Sequence, residues 1–406
     1  MKNIVILGFI FLLSFILLSQ PAIRLTKDIH IKVEVRVFQN ESFVEDLSIN
    51  DFELWEDGIS QKIEAVYHVK NNKIHRKEEL RKFGPETSRH FYLFFEISEY
   101  TQKMDQALDH FVRNTLVSGD FLTVITPQNA YRMKSNTLNI LPREELIRQF
   151  REILQKDALV GNAGYQNLVQ ELTAIAKTLV SFYENRENQE AVNPMFDNVY
   201  GTFSGSELLT RYTSLLDALE GLRKVDQERL LDVVEKLKPL YGKKNVYLFY
   251  QRDFIPNLST KVMDYYTSLY QDRPLTYHNI NYLAEYFTRD LSFDSEKVKQ
   301  VFSDASIAIH FLFFSEPSRL IPGIRMQEDS QKMIAVFREI ANATGGFVES
   351  TDNPRHLSRS GAFASDYYLL FYSPENYKQD GAFKNIKVDI KNKTYQVIHR
   401  SGYFAD

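Results

Sequence analysis

Histidine, serine and acidic side chains are the groups in this chain that could do chemistry, and none of them falls in a catalytic motif. The 406 residues include nine histidines, which are scattered. There is no glycine-rich phosphate loop, no His-Glu-x-x-His helix and no Gly-x-Ser-x-Gly turn. His310 lies in an apolar segment, as core histidines do, and His278 and His399 have no motif around them. Ser98 with a remote histidine and aspartate would make a triad, but any sequence this long offers such sets. We therefore expect a protein that is not an enzyme.

Composition removes further classes of function. The chain has no cysteine, which excludes a disulfide framework, a thiolate metal site and a lipid-modified cysteine. A net charge of -4 gives no basic footprint for nucleic acid. The charge-dense stretch from Lys73 to Lys82 mixes both signs, which favours a solvated linker over a binding patch.

The amino-terminal segment indicates export. A short positive head, Met1 to Asn3, precedes an uncharged apolar run from Ile4 to Leu18. The run is short of the ~20 residues that span a bilayer, so residues 1–22 are expected to be a signal peptide or an N-terminal anchor. Cleavage stays open, because Ser19 and Ala22 do not form a clean small-x-small pattern. The alternative is a buried helix, but such a helix would show one polar face, and this segment shows none. We expect a periplasmic, cell-surface or secreted protein whose membrane contact is through this segment alone.

The spacing of apolar residues predicts an α/β fold with several parts. Alternation from Ile31 to Val37 is typical of a strand with one wet face, and residues 28–70 are expected to form a small β domain, followed by a charged linker at 71–88. Wholly apolar runs alternate with amphipathic helices over residues 89–352, which predicts a doubly wound, Rossmann-like α/β domain with a helical insertion at about 140–205. Period-two strands return at 365–406 and are expected to complete a β-sandwich with the amino-terminal strands. The apolar runs are Phe91 to Phe95, Phe121 to Ile125, Val246 to Tyr250 and Ile307 to Phe314.

Motifs along the chain resemble those of a known group. The segment from Ile49 to Gly58 is similar to the opening motif of the bacterial von Willebrand factor A-related proteins, the Acidobacterial type. Three later segments agree in their order: Phe94 to Ser98, Ala343 to Gly346, and Arg400 to Ala405. Together they span nearly the whole mature chain. The resemblance implies a von Willebrand factor A domain, whose ion site binds magnesium through oxygen ligands and leaves one position for a partner's carboxylate.

The resemblance also implies a candidate metal site, which departs from the family pattern. The family binds its ion through an Asp-x-Ser-x-Ser segment, a threonine and a second aspartate. In this chain Glu96 stands at the first aspartate, Ser98 matches the first serine and Tyr100 replaces the second serine. Thr213 matches the threonine, and Gln251 or Arg252 stands at the second aspartate, with Asp253 in reach if the loop slips by a residue or two. Glu96 is one methylene too long for octahedral magnesium. A guanidinium ~4 Å from a dication would cost several kcal/mol at an effective dielectric of ~20. We therefore expect a degenerate site in which Arg252 pairs with Glu96, and no bound cofactor, with Mg²⁺ the remaining alternative.

These observations favour a protein-binding module in the cell envelope. The partner surface is expected on the tyrosine-rich segment from Met263 to Phe287, with Tyr277, Tyr282 and the preceding Arg252 as contact residues, because tyrosine concentrates in recognition surfaces. The same tyrosines could simply cover a core. A structural component of an envelope assembly is the alternative function, and a secreted hydrolase is a more distant one.

Overall fold

The computed structural model describes residues 29–406 except 41, 186–202, 224–226, 253, 287–292, 316–319, 329–330, 350–364 and 393. The predicted signal segment therefore lies outside the described residues, and so does Asp253. None of the described helices is both long enough and apolar enough to span a membrane. The chain combines several sheets with helices, so the prediction of an α/β fold is confirmed.

Strands occur at both ends of the chain and alternate with helices between them. The strands are β1 Ile31–Gln39, β2 Ser42–Phe43, β3 Phe52–Glu56, β4 Ile59–Gln61, β5 Ile63–Lys70, β6 Lys73–Glu79, β7 Arg89–Glu96, β8 Phe121–Ile125, β9 Ala130–Met133, β10 Lys243–Arg252, β11 Phe254–Leu258, β12 Ile307–Ser315, β13 Ile324–Glu328, β14 Val348–Glu349, β15 Asp366–Tyr372, β16 Phe383–Ile390, β17 Gln396–His399 and β18 Gly402–Phe404. The helices are α1 Gln102–Asn114, α2 Thr137–Ile140, α3 Arg143–Gly161, α4 Ala163–Glu184, α5 Gly205–Arg223, α6 Gln227–Leu237, α7 Thr260–Leu269, α8 Pro274–Tyr286, α9 Ser295–Asp304 and α10 Gln331–Ala343.

The central sheet has the order β14-β12-β10-β7-β8-β9. Its strands are parallel except for β9, which runs antiparallel to β8 at the edge. Side chains of β7 alternate between two cores: Leu93 and Phe95 pack with α1 and α3, whereas Phe94 packs with α6, α9 and α10. Because helices cover both faces, the middle of each central strand is mostly apolar, and polar residues lie mainly at the strand ends.

Strands from the two ends of the chain pair with each other. β1 lies antiparallel to β15 in a sheet of order β17-β1-β15-β5-β6, and β16 lies antiparallel to β3 in the sheet β18-β16-β3-β4. The two sheets share one apolar core, to which Val33, Val35, Leu54 and Val388 contribute. The terminal segments therefore form one body although they lie more than 300 residues apart in the sequence.

Two expectations about charged residues are corrected. The stretch at 71–88 was expected to be a linker, but Lys73–Glu79 within it forms β6, which pairs with β5 at a sheet edge where charged side chains are suited to solvent. The polar face of β1 was expected to be wet, yet Arg36 is only 1% exposed. Its guanidinium donates to the carbonyl oxygen of Gly345 at 2.8 Å, because this face packs against the α/β part of the chain.

A third apolar core lies beside the central sheet. It is built from α4, α5, α7 and α8 together with the hairpin-like pair β11 and β13. The predicted insertion of about 140–205 supplies α4 to this core, while α3 packs on the central sheet instead. The helix α5 follows the insertion directly, and the remainder of the core comes from segments that follow β10 and β12.

Candidate functional site

The candidate site lies where strands β7, β8 and β10 end. These strands are parallel neighbours, and Tyr250 of β10 is in register with Glu96 at the end of β7. The carboxyl ends of parallel strands in α/β folds meet at one edge of the sheet, where such folds bind ligands. The sequence-predicted residues Glu96, Ser98 and Gln251 are brought together at this edge.

Glu96 carries an ion pair with a residue that the sequence did not suggest. Arg229 of α6 donates from its Nη1 to Glu96 Oε1 at 3.0 Å, and its Nη2 lies 3.3 Å from the carbonyl oxygen of Thr126 at the end of β8. The expected partner was Arg252, whose side chain lies outside what the structure describes. The Glu96 and Arg229 side chains are 31% and 41% exposed, so the pair contributes little to stability and stays accessible.

Gln251 fixes the loop that follows β7. Its side-chain Oε1 accepts hydrogen bonds from the backbone N–H of Ser98 at 2.9 Å and of Glu99 at 3.0 Å. Gln251 is 3% exposed, so these donors lose water and need this acceptor. At the position where the family resemblance implies an acid, the chain places a neutral amide that binds backbone.

Two more amide side chains hold the same loop from the helical side. Asn162, between α3 and α4, donates from Nδ2 to the carbonyl oxygen of Ile97 at 2.6 Å, and Gln166 of α4 donates from Nε2 to that of Ser98 at 3.1 Å. Sequence reasoning missed both, because a neutral amide in a helical stretch carries no motif. The loop backbone is thus held by groups whose charge does not change with pH.

Tyr100 points to helix α1. Its hydroxyl donates to Asp105 Oδ1 at 2.9 Å, and Asp105 also accepts from Arg151 at 2.6 and 2.9 Å. Burial, followed by the charge of Asp105, raises the pKa of the Tyr100 hydroxyl well above its usual value. Tyr100 is therefore a neutral hydrogen-bond donor and offers no anionic ligand.

Thr213 has a local role in helix α5. It is buried, and its Oγ1 donates to the carbonyl oxygen of Thr210 one turn earlier at 2.8 Å. The hydrogen bonds of the described residues do not join Thr213 to Glu96 or Ser98. Its helix belongs to the third core.

The residues present at the sheet edge do not fit magnesium. This ion needs a near-octahedral set of oxygen ligands, whereas the Glu96 carboxylate binds a guanidinium and the Gln251 oxygen binds two backbone donors. In the described part of the chain, no three His, Asp or Glu side chains are grouped so that they could hold a metal ion.

The tyrosine-rich segment divides into buried and exposed residues. Tyr266, Tyr270 and Tyr286 belong to the third core. Tyr282 packs against that core, and its hydroxyl donates to Asp217. Tyr277 is 39% exposed, so of the two predicted contact tyrosines it is the one that faces solvent more fully.

His310 is a core residue in the central sheet. It is fully buried, and its ring stacks on Tyr247 with 4.4 Å between centroids and lies 4.6 Å from Phe347. Burial, with the nearby Arg36 and Lys243 cations, lowers its pKa well below the usual value. The side chain is neutral and packs between aromatic rings.

Comparisons with known proteins include a weak structural likeness. No family model matches the chain, and no curated protein matches it in sequence. The crystal structure of the human COPII-coat protein Sec24c aligns with a TM-score of 0.26 and 10% sequence identity, over 79% of this chain and 44% of that chain. The chain therefore spans less than half the length of that protein, and a likeness at this level carries no argument about function.

Proposed function

We propose that this chain is an exported, non-enzymatic protein-binding module of von Willebrand factor A type, which mediates a protein–protein interaction in the cell envelope without a bound metal. The observation that carries the proposal is the sheet edge at Glu96, Ser98 and Gln251. There the loop after β7 is held by amide side chains, and an arginine stands beside the first acidic position. Ligand binding at this edge is the general rule for open α/β sheets.

Arg229 is the residue through which such an edge would bind without a metal. A dication in the related family completes its shell with a partner's carboxylate; a guanidinium attracts the same group and forms forked hydrogen bonds with it. Arg229 already contacts Glu96 and Thr126, which orient it, and its side chain is 41% exposed. The proposed partner therefore presents an acidic side chain to this edge.

Tyr277 is proposed as a second contact. It lies on α8 with Leu275, which is 71% exposed. Tyrosine is enriched among interface hot spots, and exposed apolar side chains are common where proteins bind each other. Leu269, at the end of α7, is 51% exposed and adds to the exposed apolar side chains of this segment.

Capture of the partner with matched variants tests the proposal. Protein lacking residues 1–22 is crosslinked to native envelopes, as wild type, Arg229→Gln and Arg113→Gln. Arg113 is the control because its side chain is also 41% exposed and ion-paired, but it lies on α1. We expect Arg229→Gln to lose most of the captured partner and Arg113→Gln to keep it. Equal recovery with both variants would contradict binding at this edge.

Export is tested separately. Deleting residues 1–22 from the full chain should leave the protein in the cytoplasm, because the apolar run from Ile4 to Leu18 is the proposed signal. If the deletion variant still reached the envelope, the proposal of a signal in this segment would fail.

A further inference from the structure

A cluster of buried and half-buried cations lies at the opposite, amino-terminal edge of the central sheet. It is formed where the polar face of β1 packs below the start of β10 and the segment between β17 and β18. Its cationic members are Lys32, Arg36, Lys243, Lys244 and Arg400. A cleft of about 410 Å³, counting the part open to solvent, is lined by Lys32, Arg36 and Arg400, and Glu34 is the acidic residue that lines it in the described part of the chain.

Glu34 neutralises only part of this charge. Its carboxylate accepts from Arg36 and lies 3.2 Å from Lys243 Nζ. Lys243 also stands 4.1 Å from the centre of the Tyr367 ring, which favours a cation. Arg36 and Lys243 therefore share Glu34 Oε1, and this carboxylate is divided between two cations.

The remaining cations have no direct ion pair. Within the described chain, no carboxylate oxygen lies within the 4 Å of an ion pair from Lys32, Lys244 or Arg400, and Glu34 and Asp304 act on them only over a longer range. Lys244 is 5% exposed and Arg400 is 8% exposed. Arg400 donates to backbone carbonyl oxygens, at 2.7 Å to Ser303 and 2.9 Å to Lys32, but its buried Nε has no hydrogen-bond partner. Buried cations without an ion-pair partner are costly, and a bound anion would supply one.

The pKa of Lys244 reflects the excess of positive charge in this cluster. Burial, then the charges of Lys32 and Arg400, lowers its pKa to about 8, against a weaker opposing effect of Asp304. Burial also lowers the pKa of Lys32 and of Arg400. A bound anion would raise all of these values, because it would favour the charged forms.

We propose that this cleft binds a small oxyanion of the phosphate class, either inorganic phosphate or the phosphate group of a small monoester. Arginine and lysine are the side chains that bind phosphate, and the hydroxyls of Ser306 and Thr344 line the same cleft. Gly242 also lines the cleft, and its backbone packs closely on Ser88 behind it, since a Cβ at Gly242 would lie 2.3 Å from the Ser88 carbonyl oxygen. A compact anion suits this space.

The anion would tie the two ends of the chain to the α/β part. Lys32 belongs to β1 and Arg400 lies between β17 and β18, whereas Ser306 precedes β12 of the central sheet and Thr344 follows α10. A ligand that contacts all of these should stabilise the folded chain, because it binds only when they are assembled. This inference does not depend on the proposed function at the opposite edge.

Phosphate titration on the whole protein tests the proposal. Calorimetry and thermal melting are followed at pH 7 with low-millimolar inorganic phosphate, at constant ionic strength set with chloride, below the range where phosphate stabilises proteins generally. We expect saturable binding and a rise in melting temperature. A parallel titration with glycerol phosphate distinguishes the sources: binding by both compounds assigns a monoester-compatible site, and binding by inorganic phosphate alone assigns the free ion.

Variants decide whether the binding belongs to this cleft. Lys32→Gln should weaken phosphate binding about tenfold or more, the loss of one charge-assisted contact, and Lys32→Arg should retain it. Lys244→Gln should weaken binding by a smaller factor, because Lys244 lies near Lys32 and Arg400 but does not line the cleft. Lys261→Gln is the control, because Lys261 is exposed on α7. If Lys244→Gln does not fold, Lys32→Gln and Lys32→Arg still decide. Absence of saturable binding by either compound, or binding that Lys32→Gln leaves unchanged, would overturn the proposal.

Discussion

Replacing Gln251 by leucine should loosen the loop at the candidate site without unfolding the protein. The substitution removes the acceptor of two backbone N–H groups, those of Ser98 and Glu99, at 2.9 and 3.0 Å. Each orphaned buried donor costs about 1–3 kcal/mol. Because the Glu99 donor is only partly buried, the total loss should be about 2–4 kcal/mol.

Native-state hydrogen exchange measures this loss where it occurs. The backbone amides of Ser98 and Glu99 should exchange roughly thirty- to several-hundred-fold faster in Gln251→Leu, since each 1.4 kcal/mol of opening free energy is about tenfold. Gln251→Glu keeps an acceptor and should show a smaller change. Gln149→Leu serves as control, because Gln149 is exposed on α3 and bonds only to Glu145 across one turn. Unchanged exchange at Ser98 in Gln251→Leu would refute the role given to this amide.

Other perturbations have separate expected outcomes. Tyr277→Ala should leave the free energy of unfolding, measured by urea denaturation, within about 0.5 kcal/mol of wild type. Tyr282→Ala should lower it by about 1–3 kcal/mol, because the Tyr282 ring packs on the third core and its hydroxyl donates a hydrogen bond. Equal losses in the two variants would contradict this division into exposed and packed rings. The pKa of Lys244 is lowered to about 8, so the unfolded chain binds more protons there and stability should rise with pH. Between pH 8 and 9.5 the free energy of unfolding of the wild type, relative to that of Lys244→Met, should rise by about 1–2 kcal/mol. A difference in urea midpoint between the two proteins that does not change with pH would contradict this. Millimolar magnesium should not raise the melting temperature, and an upward shift abolished by Ser98→Ala would show that the ion site functions.

The sequence predicts the central strands well because their surroundings are uniform. The apolar run from Phe91 to Phe95 lies within β7, Arg89–Glu96, and that from Val246 to Tyr250 lies within β10. Both strands are covered by helices on two faces, so their composition alone indicates their environment. The expectation for His310 followed from the same reasoning.

Contacts between distant segments could not be predicted in this way. The alternation in β1 indicates a solvated face, but Arg36 is buried by a contact with Gly345, 309 residues later. Arg229 reaches Glu96 across 133 residues, and its position in α6 resembles that of any exposed helical arginine. Asn162 and Gln166 act on the loop after β7 through neutral amides, which leave no motif to recognise.

We propose that this chain binds a partner's acidic group through Arg229 rather than through a metal ion. The most direct test is to repeat the envelope crosslinking with wild-type protein in excess EDTA and in millimolar magnesium. We expect the same recovery of the Arg229-dependent partner under both conditions. Recovery that requires magnesium and disappears in EDTA would contradict it.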